Sequence, residues 1–287
     1  MLKLSEIQLV GSKRELTTIP EGKVLINTIN AHSYNVAQQD GLYAEALVNG
    51  DYLIPDGESI VKACRWLKGK SQPKERIAGW DLFSFEMERV NDNDTRCYDT
   101  ERGSYDTLRY DTRSYENEDE NDNVNVNDND NVNVNDNHSR KRVMFMGSSE
   151  RVLELIRERA AVEYPNLEVM TYSPPYKPEF SDEDNRAIIQ AINEANPDLL
   201  WIGMTAPKQE KWTYSHWTEL DIHCHVGTIG AVFDFYAGTA KRAPLWWQKH
   251  GLEWLYRLLK EPKRMWRRYV IGNPLFVWNV IREKTLR

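Results

Sequence analysis

Leu199-Leu200-Trp201-Ile202 is an unbroken apolar run that stops at Gly203 and gives way, past Pro207, to helical spacing from Lys208 to Trp212. A short apolar run closed by turn chemistry reads as a buried strand. A strand that ends in a small-residue loop and hands over to a helix is the unit of an open α/β sheet, which binds ligands at the carboxyl ends of its strands. Free N–H groups at the helix start favour an anion there, and Lys208, Gln209 and Lys211 sit beside them. Taken singly, the pattern is also that of an ordinary β-α turn with solvated charges.

The same alternation recurs along the chain. Val24 to Asn30 reads as a strand, followed by a helix from about Ser33 to Asn49. Tyr52-Leu53-Ile54 is a second strand; it meets the turn Pro55-Asp56-Gly57-Glu58 and a helix marked by Ile60, Val61, Cys64 and Leu67. Arg76 to Asp81 is expected to be a strand entering a loop, with a helix to about Val90 beyond it. Further on come strands at Arg142–Gly147 and Leu167–Met170, helices ending near Tyr164 and Asn196, and the apolar stretch His225–Phe235. Ser148 or Ser149 is expected to cap the helix ending at Tyr164. The predicted fold class is α/β, a mainly parallel sheet with helices on both faces. Gly147-Ser-Ser-Glu-Arg lacks the Gly-x-Gly-x-x-Gly fingerprint, which counts against a dinucleotide site.

Charge divides the 287 residues into three parts. Residues 91–139 hold fourteen Asp and Glu against four Arg, and repeat Asp-Asn-Val-Asn-Val-Asn at 122–127 and 130–135. So little apolar surface cannot offset the entropy of ordering, and the tract is expected to be a disordered insertion looping out of a core made of 1–90 and 140–240. Its Asp-x-Asp triplets, such as Asp92-Asn93-Asp94, have the form of a site for Mg²⁺ with a nucleotide diphosphate. In so repetitive a tract they arise from composition, and no metal site is assigned to them. His223 and His225 flank Cys224 and read as a strand edge rather than metal ligands.

Residues 241–287 carry twelve Lys and Arg against three Glu, and five of the ten tryptophans. Two or three helices are expected there, with Leu252, Leu255, Leu258 and Leu259 on one face and with Pro262 and Pro274 as helix starts. Aromatics interleaved with arginines fit an interfacial membrane helix. A helical cap on the core, or a phosphate-binding nucleic-acid surface, would share that composition. Met1–Glu6 lack the basic and apolar regions of a secretory signal, and no run reaches the ~18 apolar residues of a membrane span. The three cysteines lack metal-type spacing. The expectation is a soluble intracellular protein.

Several stretches in one order then carry a resemblance: Thr28-Ile-Asn30, Pro55-Asp-Gly57, Arg76-Ile-Ala-Gly-Trp-Asp81, Pro207-Lys-Gln-Glu-Lys-Trp212 and Gly230-Ala-Val-Phe-Asp-Phe-Tyr-Ala-Gly238. Lys241-Arg-Ala-Pro244, Gly251-Leu-Glu-Trp-Leu-Tyr-Arg257, Glu261-Pro262 and Gly272-Asn-Pro274 complete the set. Together they resemble the WecG/TagA/CpsF family of bacterial glycosyltransferases over nearly the whole chain apart from 91–139. Where that family commonly has a second glycine this chain has Thr205. The resemblance implies a Rossmann-like core with a C-terminal helical appendage that docks on membrane. It implies inverting transfer of a sugar, of N-acetylmannosamine type, from a UDP-sugar to an undecaprenyl-diphosphate-linked acceptor at the inner face of the cytoplasmic membrane, for teichoic acid or surface polysaccharide. It implies no cofactor, no metal and no nucleic acid; homo-oligomerisation is left open. A sugar epimerase or dehydrogenase, or a non-catalytic peripheral membrane protein, are the competing readings.

The chemistry asks for a carboxylate to take the acceptor proton, and by resemblance that is Asp56. Thr28 and Asn30 are placed by resemblance beside the sugar and acceptor, and Gln209 is the candidate to hydrogen-bond a sugar. The departing diphosphate needs fixed cations, for which Arg76, Lys208, Arg257, Arg264 and Arg267 are candidates. Asp234 is expected near the nucleotide or as a helix cap.

Overall fold

The chain's computed structural model describes residues 2–91 and 140–286, and the expectations for 91–139 as an insertion lie outside the described residues from 92 onward. Among the described residues six strands form one sheet: β1 (Val24–Ile29), β2 (Tyr52–Pro55), β3 (Lys141–Gly147), β4 (Leu167–Tyr172), β5 (Leu199–Gly203) and β6 (His225–Thr228). Every pairing is parallel, in the order β2-β1-β6-β5-β3-β4. Helices α1 (Ala31–Ala37), α2 (Gly41–Val48), α3 (Glu58–Leu67) and α4 (Gly79–Asn91) belong to the first part of the chain. Then follow α5 (Glu150–Glu163), α6 (Asp182–Ala195), α7 (Lys208–Ser215) and α8 (Gly230–Tyr236).

Strand alternation divides the core. Leu199 and Trp201 of β5 join Val143 and Phe145 of β3 on one face, against residues of α4, α5 and α8. Leu200 and Ile202 join Met144, Met146 and Val226 on the other, against Ile188 and Ile192 of α6 and Trp212 of α7. Both faces are therefore covered, as a parallel sheet requires. A third cluster, around Ile29 and Leu53, packs α1 to α3 against Leu4 and Ile7 near the amino terminus.

Two expected elements differ. The helix expected over 33–49 is two helices, because Asp40 accepts from the Tyr43 amide and starts α2 as its own cap. Residues 76–78 form no strand, and α4 begins at Gly79 with the Asp81 carboxylate accepting from the Ala78 amide. Ser149 stands at the cap position of α5, but its side chain makes no capping hydrogen bond. Away from the site, His225 is buried, its Nδ1 3.0 Å from Glu86 Oε1 and its Nε2 2.9 Å from the Pro20 carbonyl.

The appendage consists of α9 (Leu245–Lys249), α10 (Glu253–Lys260), α11 (Pro262–Trp266) and α12 (Gly272–Thr285). Pro262 opens α11 as expected, but Pro274 lies inside the first turn of α12. Between α11 and α12, Arg267–Ile271 form a π turn in which the Gly272 amide donates to the Arg267 carbonyl. Pro274 has no N–H for the residue four back and its ring crowds that carbonyl, so one extra residue in the preceding turn relieves the clash. Phe276 and Val280 of α12 enter the cluster around Ile29, which makes this helix part of the core. Among the described residues no helix is long and apolar enough to cross a membrane.

Candidate active site

The carboxyl ends of the strands and the appendage enclose a cavity of about 1680 Å³. A single small-molecule site has roughly 300–1,000 Å³, so there is room for two substrates. Thr28 and Asn30 reach it from the end of β1, Asp56 from the end of β2, Met204 and Thr205 from the end of β5, and Thr228 from β6.

Asp56 is held by its backbone. Its amide donates to the Ile29 carbonyl at 2.8 Å, extending the β1–β2 ladder by one step, and Gly57 at φ +156° then turns the chain into α3. That φ favours glycine, so the Asp-Gly pair belongs to the turn as well as to the site. The half-buried Asp56 carboxylate makes no hydrogen bond among the described residues. Burial pushes its pKa above the ordinary carboxylate range; Arg76 and Arg268 pull it down, and Glu253 and Asp81 push it up.

Asn30 caps α1, its Oδ1 accepting from the His32 and Ser33 amides at 3.0 and 3.1 Å, so only its amide nitrogen is left for a ligand. Gln209 is more committed still. Its Oε1 accepts from the Met204 and Gly230 amides at 3.1 and 3.2 Å, and its Nε2 donates to Glu210 Oε1 at 3.0 Å. It ties the loop after β5 to the start of α8, and only one N–H of its amide is left for a sugar. Lys208 lines the cavity, with its ammonium donating to the Lys177 carbonyl and lying over the Phe180 ring. Asp234, on α8, lines the cavity as well.

Arg76 pairs with Glu253, and Arg242 Nε lies 3.5 Å from the other oxygen of that carboxylate. Arg257, one turn beyond Glu253, lines the cavity with its guanidinium 5.1 Å from the Phe235 ring. Arg267 is exposed and does not line the cavity; Arg268 lines it instead. The side chain of Arg264 lies outside the described residues. Arg268 Nε is buried without a hydrogen-bond partner among the described residues. Its charge, after burial, pulls the His32 imidazole down to about 4. An orphaned guanidinium N–H facing a cavity calls for an acceptor from a ligand.

Arg268, Glu253 and Arg242 are the residues that sequence reasoning passed over. Glu253 and Arg242 stand within stretches that carry the family resemblance, whereas Arg268 is turned inward by a π turn that periodicity does not report. Among the described residues no group of three His, Cys, Asp or Glu side chains is gathered as a metal ligand set.

The model of the glycosyl transferase WecG/TagA/CpsF family matches residues 3–99 and 131–287. The chain is similar to the N-acetylglucosaminyldiphosphoundecaprenol N-acetyl-beta-D-mannosaminyltransferase of Bacillus subtilis strain 168, with 25% identity over 260 residues, 91% of this chain and 80% of the relative. Its similarity to the enzyme of that name from Bacillus spizizenii is 26% over 281 residues, 98% and 88% of the two chains. With that from Staphylococcus aureus strain MW2 it is 25% over 262 residues, 91% and 81%.

Proposed function

Because the chain belongs to the glycosyl transferase WecG/TagA/CpsF family, we propose that it moves an N-acetylmannosamine-type sugar from a UDP-sugar to a sugar carried on undecaprenyl diphosphate, inverting the anomeric carbon. The observation that carries this reading is one cavity that holds an unbonded carboxylate, Asp56, and an unpartnered buried guanidinium nitrogen, that of Arg268. The acceptor hydroxyl gives its proton to Asp56 as its oxygen attacks the anomeric carbon. The bond from that carbon to the diphosphate breaks, and UDP leaves carrying the electron pair. A single displacement of this kind inverts the centre. Arg268 and Arg257 meet the charge that develops on the diphosphate, Thr28 and the Asn30 amide face the sugars, and Asp234 and Lys208 stand at the donor end. Gln209 acts by shaping the loop after β5.

The mouth of the cavity supports work at a membrane surface. Trp66, Trp254, Val277 and Ile281 line the cavity and are exposed, and Trp266 on α11 and Trp278 on α12 are exposed as well. Arg267 and Arg282 are exposed among them. Apolar rings enter the headgroup region and arginines meet anionic lipid, which brings the cavity to a lipid-linked acceptor on the cytoplasmic face.

The test is a panel of UDP-sugars against a short-chain lipid-diphosphate N-acetylglucosamine. UDP release that requires this acceptor and yields an inverted disaccharide is expected. UDP release or sugar conversion independent of acceptor would overturn the reading in favour of a hydrolase or epimerase.

A further inference from the structure

Among the described residues Glu253 is the one appendage carboxylate that lines the cavity. It reaches inward because Gly251, at φ +67°, makes a turn against α3, where an added Cβ would lie 3.2 Å from Glu58 Cγ. Its two oxygens are divided between two arginines, Arg76 of the core, on the loop before α4, and Arg242 on the loop that leads from α8 into the appendage. All three side chains are at most about a quarter exposed, which strengthens the pairing relative to a surface ion pair. Arg242 is further fixed with its guanidinium 5.5 Å from the Trp80 ring.

Arg76 is also the arginine whose charge acts most strongly on Asp56. Its hydrogen bond nevertheless goes to Glu253, and among the described residues it makes none to Asp56. We propose that Glu253 is a positioning residue that ties the appendage to the reaction: its carboxylate holds Arg76 together with Arg242, so that Arg76 does not pair with Asp56 and the Asp56 carboxylate stays open to the acceptor hydroxyl. The proposal rests on the reading of Asp56 as the base. An aspartate that forms an ion pair with an arginine is a weaker base and has fewer free lone pairs. Core and appendage must both be in place for the divided carboxylate to form, so a chain whose appendage is undocked has Arg76 released toward Asp56.

Asp56 is faced by Arg76, by Glu253 from α10, by Arg268 from the π turn and by Asp81 from α4. His32 of α1, and Glu58 and Lys62 of α3, line the same cavity. Glu253 is a group among these that pushes the Asp56 pKa up, both by its own charge and by occupying Arg76. Removing its charge therefore moves the acid limb of the rate profile toward lower pH.

The experiment compares wild type, Glu253→Gln and Asp56→Asn for transfer to the short-chain lipid acceptor between pH 4 and 9, with melting temperature measured alongside. Glu253→Gln is expected to lower kcat at least tenfold and to shift the acid limb down by half a pH unit or more. An unchanged kcat, or a lowered kcat with the limb in place, would overturn the proposal, the latter result being that of a merely structural contact. Should Glu253→Gln fold poorly, Glu253→Asp, which keeps the charge but shortens its reach, is expected to give the same shift in smaller measure. An inactive Asp56→Asn beside a Glu253→Gln chain like wild type removes only the role of Glu253. A fully active Asp56→Asn removes the reading of the site itself.

Discussion

Glu283, on the last helix, accepts a 2.8 Å hydrogen bond from the hydroxyl of Tyr34 on the first. The same carboxylate accepts from the Leu4 and Ser5 amides at 3.0 and 2.8 Å, so one buried side chain joins both ends of the chain to α1. Asn35, the next residue of α1, donates to the Gly272 carbonyl at 2.7 Å and accepts from Asn279 at 3.1 Å. The wall of the cavity that carries Arg268 is thereby fastened to the strand end that carries Thr28. Glu283→Ala leaves three buried donors without an acceptor, and is expected to cost about 3 kcal/mol, with Tyr34→Phe costing about 1.5. Urea unfolding of both single variants and the double variant checks this, and the double is expected to cost less than the sum.

Asp56→Asn keeps the shape of the turn and removes the base. Transfer is expected to fall by about 10²–10⁴-fold, the usual range for loss of a general base. UDP-sugar affinity, measured by calorimetry, is expected to stay within a few-fold of wild type, because no diphosphate contact is lost.

The π turn separates the duties of two adjacent arginines. Arg268→Ala, which removes a cavity guanidinium, is expected to lower kcat/KM for the donor at least tenfold even with a soluble acceptor. Arg267→Ala, at an exposed position, is expected to leave that value unchanged and to weaken sedimentation with anionic vesicles. Equal losses from both variants on the soluble acceptor would contradict the placement.

Glu210 is buried, and burial raises its carboxyl from 4.5 to about 7, although its own backbone amide and the Gln209 amide pull it down. A folded pKa above the unfolded one means that the folded chain holds the proton more tightly. The stabilisation is thus complete below pH 4.5 and is lost as pH rises to about 7. Over that window the loss is about 3 kcal/mol at most. Glu210→Gln is expected to flatten this fall and to make the chain more stable than wild type at pH 8, as read from chemical denaturation at several pH values.

Strand positions were legible because burial in a parallel sheet is written locally. Leu199–Ile202 and Val143–Met146 carry their apolar runs in the sequence, and Gly57 announces its turn. Asp56, Thr28 and Arg257 were placed by motif and do share the cavity. Where a residue's own bonds were at issue, the motif was silent: Gln209 has its amide oxygen occupied by two backbone amides 5 and 21 residues away in sequence, which leaves one amide N–H for a sugar.

Sequence alone determined most of the alternation of strand and helix and the segregation of basic and aromatic residues into the last 47 positions, since both depend on neighbours along the chain. The tertiary structure decided which of two adjacent arginines turns inward, that an appendage glutamate takes Arg76 from 177 residues away, and that the last helix is bound to the first. Those outcomes depend on helix phase after a proline-driven π turn and on charges brought together by packing, and neither quantity has a local period to read.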